Sequence, residues 1–313
     1  MSVLGDLTPD QFLGKHWQRQ PLLVRNAVPD YTSPVSPDEL AGLALDAEVE
    51  SRLVLQRGDA GPWELKHGPF QDSDFAELPE RDWTLLVQAV DLWVPQVKDL
   101  LERFNFLPPW RFDDVMVSYA VPGGSVGPHF DQYDVFLLQV EGERQWEIAE
   151  LTDADAELLP QTELRILQHF KASQQWTLGP GDMLYLPPRV AHRGVALTEC
   201  LTYSIGFRSP TVSELLGDLA VELLAQDRAP HYSDPPLTSS MACEDIAPEF
   251  IEQARELLLR ALGDDELLAD WFARFVTAPK YAGLESETGE KRRARINGVV
   301  YENGERTEEP NRR

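Results

Sequence analysis

His129 and Asp131, separated by Phe130, are the residues in this chain whose types and spacing best suit chemistry. On extended backbone, side chains i and i+2 project to one face. An imidazole nitrogen and a carboxylate oxygen are then presented together, while Phe130 turns away. Those donors make two thirds of a 2-His-1-carboxylate site, the facial arrangement that holds ferrous iron and leaves coordination positions open. The second imidazole is expected from His192, in the segment PPRVAH. The H-x-D spacing alone is weak, since a chain of this size contains one by chance roughly a third of the time. Three neighbours strengthen it. Gly123-Gly124 and Gly127-Pro128 bend the chain just before His129. His192 follows the segment GDMLYLPP, and Arg144 is expected on the strand paired with the one bearing His129.

Three protein donors leave half of the coordination sphere of Fe(II) for a bidentate 2-oxo acid and dioxygen. The chemistry is then oxidative decarboxylation of that acid, coupled to hydroxylation of an unactivated C–H bond. If the acid is 2-oxoglutarate, its distal carboxylate needs a cation. Arg144 offers a planar two-pronged donor for it, and Ser118 adds a hydroxyl. His67 and His169 are assigned to structural or solvated roles.

These residues need a scaffold, and the chain reads as strand after strand with Gly/Pro turns. Strands are expected at Pro21–Asn26, in VESRLVLQRG and GPWELKHGPF (joined by a turn at Gly58-Asp59), at Asp113–Tyr119, and in YDVFLLQV. A hairpin turn at Glu141–Arg144 leads to a return strand, Arg144–Ile148. Further strands are expected at Gln175–Leu178, Asp182–Leu186 and ECLTYSIGFRSP. Residues 150–170 are acidic and read as an exposed insert. This pattern predicts a mainly β protein with α elements, built on a double-stranded β-helix of the jelly-roll type. Helices are expected after Thr8-Pro9 and Ser36-Pro37, where a capping residue precedes proline. A longer helix, kinked at Pro95, is expected from Trp83 to Phe104, with Trp83, Trp93 and Phe104 in the core. From Thr211 the character changes to amphipathic helices. The first is capped by Thr211 with Glu214 as its partner, and two more lie in APEFIEQARELLLRALGD and ELLADWFARFVTAP. Their broad apolar faces suggest a helical dimerisation region. Beyond it, a hairpin is expected at Asn297-Gly298, before a charged, disordered end.

The expected organisation is therefore residues 1–95 as supporting α/β elements, 96–210 as the catalytic β-domain, 211–280 as the dimerisation region and 281–313 as a short C-terminal segment. The 313-residue chain carries 53 acidic against 28 basic residues, a net charge of −25. Such a surface disfavours nucleic acid as a direct partner and favours a basic protein. No apolar run long enough to span a membrane and no signal sequence is apparent. The two cysteines, Cys200 and Cys243, have no disulfide or metal-pair spacing, so a cytoplasmic location is expected.

HFDQYDVFLLQVEGERQW, PGDMLYLPPRVAH and YSIGFRSP together resemble the bacterial JmjC-type ribosomal oxygenases, the ribosomal protein arginine hydroxylases. DELAGLALDAEVESRLV, HGPF and WTLLVQAVDLW carry the likeness into the N-terminal part. The resemblance implies a 2-oxoglutarate-dependent dioxygenase that uses Fe(II) and oxygen to hydroxylate the β-carbon of one arginine in the sixteenth large-subunit ribosomal protein. It implies His129, Asp131 and His192 as metal ligands, with Arg144 and Ser118 on 2-oxoglutarate. It implies Asp114, Met116, Tyr133 and Ser204 as the wall around the target arginine. RINGVVYENGE resembles only the beginning of that family's winged-helix domain, so this domain is expected to be shortened. The competing readings are a JmjC-type oxygenase with another target, such as a histidyl residue, and a non-catalytic cupin-like binding module. An acidic residue at 114 favours a cationic target over histidine, and a complete triad with Arg144 favours catalysis.

Overall fold

The computed structural model describes residues 2–29, 31–56, 61–150, 157–160, 162–225, 231–238, 241, 245–281 and 291–307. The first helix, α1 (Pro9–Lys15), starts at a reciprocal cap: Thr8 Oγ1 accepts from Gln11 N–H, and Gln11 Oε1 accepts from Thr8 N–H. After β1 (Leu22–Val24), α2 (Pro37–Leu43) starts the same way on Ser36 and Glu39. Each box satisfies two N–H groups that the helix leaves without partners. The chain continues through β2 (Ser51–Gln56), β3 (Trp63–His67), α3 (Asp72–Ala76) and β4 (Trp83–Val87). Two single turns follow, α4 (Val90–Trp93) and α5 (Pro95–Lys98), and then a 3-10 helix at Asp99–Phe104. Next come β5 (Phe112–Ala120), β6 (Val135–Glu141), β7 (Arg144–Glu150), β8 (Gln174–Leu178), β9 (Met183–Leu186), β10 (Val190–Ala196) and β11 (Cys200–Phe207). The turn expected at Gly58-Asp59 lies outside the described residues.

The helix expected over Trp83–Phe104 is not formed as one element. Trp83–Val87 is instead a strand, paired with both β2 and β5. A five-residue apolar run fits either period, and here the neighbouring strands decide. Ala89 adopts a left-handed conformation (φ 52°), which ends the strand before α4 begins. Phe104 is buried in the core, and Trp83 and Trp93 both pack against it, as expected.

Eight strands form one antiparallel sheet in the order β1-β9-β6-β11-β5-β4-β2-β3, and β10-β7-β8 form a second. This is the expected double-stranded β-helix, and strands from the first 95 residues extend its larger sheet. β6 divides the interior by its alternation. Phe136, Leu138 and Val140 join the larger core with Phe12, Phe104 and Tyr185, whereas Val135 and Leu137 face the barrel interior with Trp146, Ile148, Leu178, Leu184 and Leu186. The turn at Glu141–Arg144 is present, with Gly142 at φ 67°. It is not a ladder hairpin, however. β6 pairs with β9 and β11, and β7 pairs with β10 and β8, so the turn carries the chain from one sheet to the other. Among the described residues of the insert expected at 150–170, not all are exposed. Leu158 bridges Leu167, and Ile166 and Leu167 are buried.

Residues 210–313 form a separate compact unit. It comprises α6 (Val212–Ala225), α7 (Pro248–Ala261), α8 (Asp265–Thr277) and a meander of β12 (Arg293–Ile296), β13 (Val299–Glu302) and β14 (Glu305–Thr307). Thr211 and Glu214 form the expected cap. Asn297-Gly298, at φ 50° and 81°, makes the expected two-residue turn, and Asn303-Gly304 makes a second that the sequence reading missed. Trp271 Nε1 donates to Asp218 at 2.7 Å, and Arg274 bridges Glu222 and Asp270 at 2.7 and 2.9 Å, which ties α8 to α6. Among the described residues, no helix is long and apolar enough to cross a membrane. The end expected to be disordered lies outside the described residues beyond 307, as does Cys243.

Candidate active site

The site occupies the barrel interior, and strand alternation puts it there. On β5, Val115 and Val117 point into the larger core, which leaves Asp114, Met116 and Ser118 on the opposite face. β11 supplies matching positions, with Ser204 opposite Met116 and Thr202 opposite Ser118. Asp114 and Ser118 are buried, and Met116 and Ser204 are partly so. On the facing sheet, Arg144 and Trp146 of β7 lie opposite Ala196 and Gly194 of β10, and His192 shares the face of those two residues.

His129 is not on a regular strand. It forms a single antiparallel bridge with His192: each backbone N–H donates to the other's carbonyl, at 3.0 and 2.8 Å. The Arg189 N–H donates to the Asp131 carbonyl at 2.7 Å, so the whole H-x-D segment is pinned along β10. Arg144 therefore lies not beside the strand bearing His129 but one strand further, across β10.

The three predicted ligands converge. One donor atom from each of His129, Asp131 and His192 lies within 4.8 Å of the other two, and His192 Nε2 is 3.8 Å from Asp131 Oδ2. Both imidazoles are held the same way. His129 Nδ1 is 3.0 Å from the Gly127 carbonyl, and His192 Nδ1 is 3.0 Å from the Val190 carbonyl. A carbonyl only accepts, so each Nδ1 carries a proton, which leaves Nε2 as the nitrogen that a metal could take. Gly127, at φ 79°, is what aims the first of these carbonyls, and the Ile166 side chain fills the place a Cβ would need. Burial, with His129 beside it, pushes the His192 imidazole down to about 4, which keeps it neutral. Two imidazoles and one carboxylate are a donor set that suits Fe(II).

Arg144 is buried, yet among the described residues no carboxylate pairs with it. Its Nε has no partner, and Nη2 makes one long contact, 3.4 Å, with the Gly194 carbonyl. Burial pulls its pKa down from the usual guanidinium range, against the opposing effect of the Cys200 sulfur. The side chain runs over Gly194, where a Cβ would come within 2.6 Å of Nε and 2.8 Å of the Trp146 ring. A buried cation with free hydrogen-bonding capacity, beside a triad of iron ligand types, fits a dicarboxylate that reaches from one to the other.

Tyr133 is about two fifths exposed at 42%. Burial of its hydroxyl and the nearby Asp131 and Asp114 carboxylates raise its pKa, so the phenol stays protonated. The sequence reading missed Gln88 and Arg52, which reach this wall from just past the end of β4 and from β2. Gln88 Nε2 donates to both Asp114 oxygens at 3.0 Å. It also missed the buried Gln139, whose Oε1 accepts from Thr202 Oγ1 at 3.0 Å. His67 and His169 stand apart from the triad, as expected; His67 faces Glu163 at 3.9 Å.

Comparison with known proteins gives this geometry a context. A JmjC domain model matches residues 99–215. The ribosomal protein uL16 3-hydroxylase of Escherichia coli is 37% identical, over 97% of this chain and 86% of its own length. A probable ribosomal oxygenase of Haemophilus influenzae is also 37% identical, over 87% of this chain and 68% of its own. The X-ray structure of E. coli ycfD covers 100% of this chain and 89% of its own with a TM-score of 0.86 at 36% identity. A structure of that ribosomal oxygenase in complex with cobalt and 2-oxoglutarate covers 98% and 87% with a TM-score of 0.82, again at 36% identity. Similarity along nearly the whole length of both proteins, with the conserved domain laid over this triad, places the chain in the JmjC-domain family of ribosomal oxygenases.

Proposed function

We propose that the chain is an Fe(II)- and 2-oxoglutarate-dependent protein hydroxylase whose target is an arginine of the ribosomal protein uL16, modified at the β-carbon. The observation that carries this reading is the buried, carboxylate-free Arg144 in the same barrel as the converged triad. His129, Asp131 and His192 would hold the metal. Arg144 would bind the distal carboxylate of 2-oxoglutarate, with Ser118 on the facing sheet. When bound, the metal and cosubstrate supply oxidative decarboxylation and the activated oxygen for C–H hydroxylation. The chain's own residues position and shield. The Nδ1 hydrogen bonds fix the ring planes, and the apolar lining around Leu137, Ile148, Leu184 and Leu186 excludes water.

Asp114 supports an arginine target. A carboxylate at the pocket wall attracts a guanidinium and can accept two of its N–H groups, whereas a neutral imidazole gains less. Tyr133 would pack along the aliphatic stem, with Met116 and Ser204 beside it. A basic ribosomal protein also suits the net charge of −25. The test is mass spectrometry of uL16 incubated with the chain, Fe(II) and 2-oxoglutarate. The mass of one oxygen atom on a single arginine is expected, and addition to a histidine would instead favour the histidyl reading. Asp114→Ala is expected to lower peptide hydroxylation by roughly 10- to 100-fold, through loss of a buried charged partner. It should slow peptide-independent 2-oxoglutarate decarboxylation far less, and equal loss of both would count against a substrate role.

The same reading makes the chain a cytoplasmic homodimer joined through residues 211–280. The exposed Leu216, Val221 and Leu224 of α6 and Ile251, Leu258 and Leu259 of α7 support this. Light scattering should give twice the chain mass of 35.4 kDa, and a monomer would remove the proposal.

A further inference from the structure

We infer that the segment of residues 157–160 and 162–170 braces the metal centre from behind, with Ile166, Leu167 and Phe170 as positioning residues for His129 and Asp131. This rests on the metal reading of the triad and deepens it. The need for a brace follows from where the ligands sit. β10 is the outer strand of the sheet β10-β7-β8, and the H-x-D segment lies along its free edge. His129 exchanges two backbone hydrogen bonds with His192, and the Asp131 carbonyl accepts from Arg189 N–H. Those bonds hold one side of the segment only. Successive backbone groups of an extended chain face opposite ways, so Pro128 turns its carbonyl away from β10. There the Leu167 N–H donates to it at 2.7 Å. The brace thus supplies the second edge that the ligand segment otherwise lacks.

Side chains complete the support. Ile166 is buried against Gly127, where a Cβ would come within 2.8–3.1 Å of three of its side-chain carbons. The Gly127 carbonyl is the group that His129 Nδ1 meets at 3.0 Å, so Ile166 holds the peptide that orients the first imidazole. Phe130 points away from the two ligands that flank it. Its ring enters an outer cluster with Leu158, Leu167 and Phe170, above Ala149 and Ala191. Those two alanines are register partners on β7 and β10, and their small side chains leave room for the ring. The brace has anchors of its own. Leu159 N–H donates to the Ile166 carbonyl at 2.9 Å, and Gln168 N–H donates to the Glu157 carbonyl at 2.8 Å. Arg193, paired with Glu147 at 2.7 Å, has its guanidinium 5.9 Å from the centre of the Phe170 ring. Groups behind the ligands matter because donor atoms that are already in place bind an ion without a further ordering cost.

The test is anaerobic calorimetry of the full chain with Fe(II) alone, together with thermal melts. It compares the wild type with Ile166→Ala, Ile166→Val, Phe130→Ala and Leu53→Ala. Leu53 is fully buried on β2 in the larger core, so its truncation lowers stability without touching the brace. Ile166→Ala and Phe130→Ala are expected to weaken Fe(II) binding by about ten-fold or more, the lower range for losing a group behind a metal ligand. Ile166→Val keeps two of the three carbons that face Gly127 and should weaken it less. Leu53→Ala should change the affinity by less than about two-fold while lowering the melting temperature at least as much. Wild-type affinity in Phe130→Ala and in the folded Ile166 variants would overturn the inference. A loss in Leu53→Ala as large as theirs would also overturn it, since affinity would then follow stability alone. If Ile166→Ala does not fold, Ile166→Val and Phe130→Ala decide the matter. A wild-type chain that binds no Fe(II) removes the metal reading itself, an outcome distinct from a metal-binding chain with an indifferent brace.

Discussion

Replacing Arg144 by methionine is expected to move binding and stability in opposite directions. The guanidinium is buried, short of hydrogen-bond partners and unopposed by any carboxylate among the described residues. In the proposed complex, the distal carboxylate of 2-oxoglutarate supplies what it lacks. Removing one member of such a desolvated charge pair costs about 2–5 kcal/mol. At ~1.4 kcal/mol per factor of ten, the 2-oxoglutarate KM should rise by roughly 30-fold or more. In the cofactor-free chain the same side chain is a cost, because a charge taken out of water without an ionic partner destabilises the fold. An apolar side chain of similar length should relieve about 1 kcal/mol or more of that cost. For a domain of this size, that raises the melting temperature by ~2–4 °C. Thermal melts with and without 2-oxoglutarate separate the two effects. The wild type should gain stability from the cosubstrate by mass action, while Arg144→Met should start higher and gain little. A variant with unchanged KM would remove Arg144 from the cosubstrate site.

His129→Ala is expected to abolish 2-oxoglutarate turnover while leaving the fold intact. Losing a hydrogen bond behind a metal ligand already costs about 10- to 100-fold in metal affinity. Loss of one of three donors should exceed that upper bound. Alanine at 129 disturbs none of the backbone contacts that hold the segment. The bridge between His129 and His192 runs entirely through N–H and C=O groups, which alanine keeps. Only the imidazole and its Nδ1 bond to Gly127 are lost. Succinate formation measures the effect, and circular dichroism should show no loss of folded structure. Turnover at the wild-type rate would remove His129 from the metal site.

The converging triad was legible because metal donors are few and their setting is distinctive. The glycines before His129 and the GDMLYLPP segment before His192 announce bends and a strand end, and the structure uses both. The capping boxes at Thr8 and Ser36 were legible for a similar reason: each is a local exchange of hydrogen bonds, complete within four residues. What the sequence hid is pairing over long distances. WTLLV reads equally as a helix face or a buried strand, and only β2 and β5 on either side resolve it. That ambiguity concealed the end of β4, and with it Gln88 at the pocket wall. The turn after β6 looks like a hairpin because its local chemistry is that of one. Whether it joins neighbours in one sheet or crosses to another depends on strands 40 or more positions away, such as β9 and β11. For the same reason the sequence pairs the strand of Arg144 with the wrong neighbour.

The central claim is that His129, Asp131 and His192 bind one ferrous ion and leave room on it for 2-oxoglutarate. Anaerobic titration of the metal-free chain with Fe(II), in the presence of 2-oxoglutarate, tests this most directly. The account predicts one tightly bound ion per chain, with the visible charge-transfer absorption of a chelated 2-oxo acid, and loss of both in His129→Ala and His192→Ala. Binding of equal stoichiometry and affinity in the wild type and in both variants would contradict it.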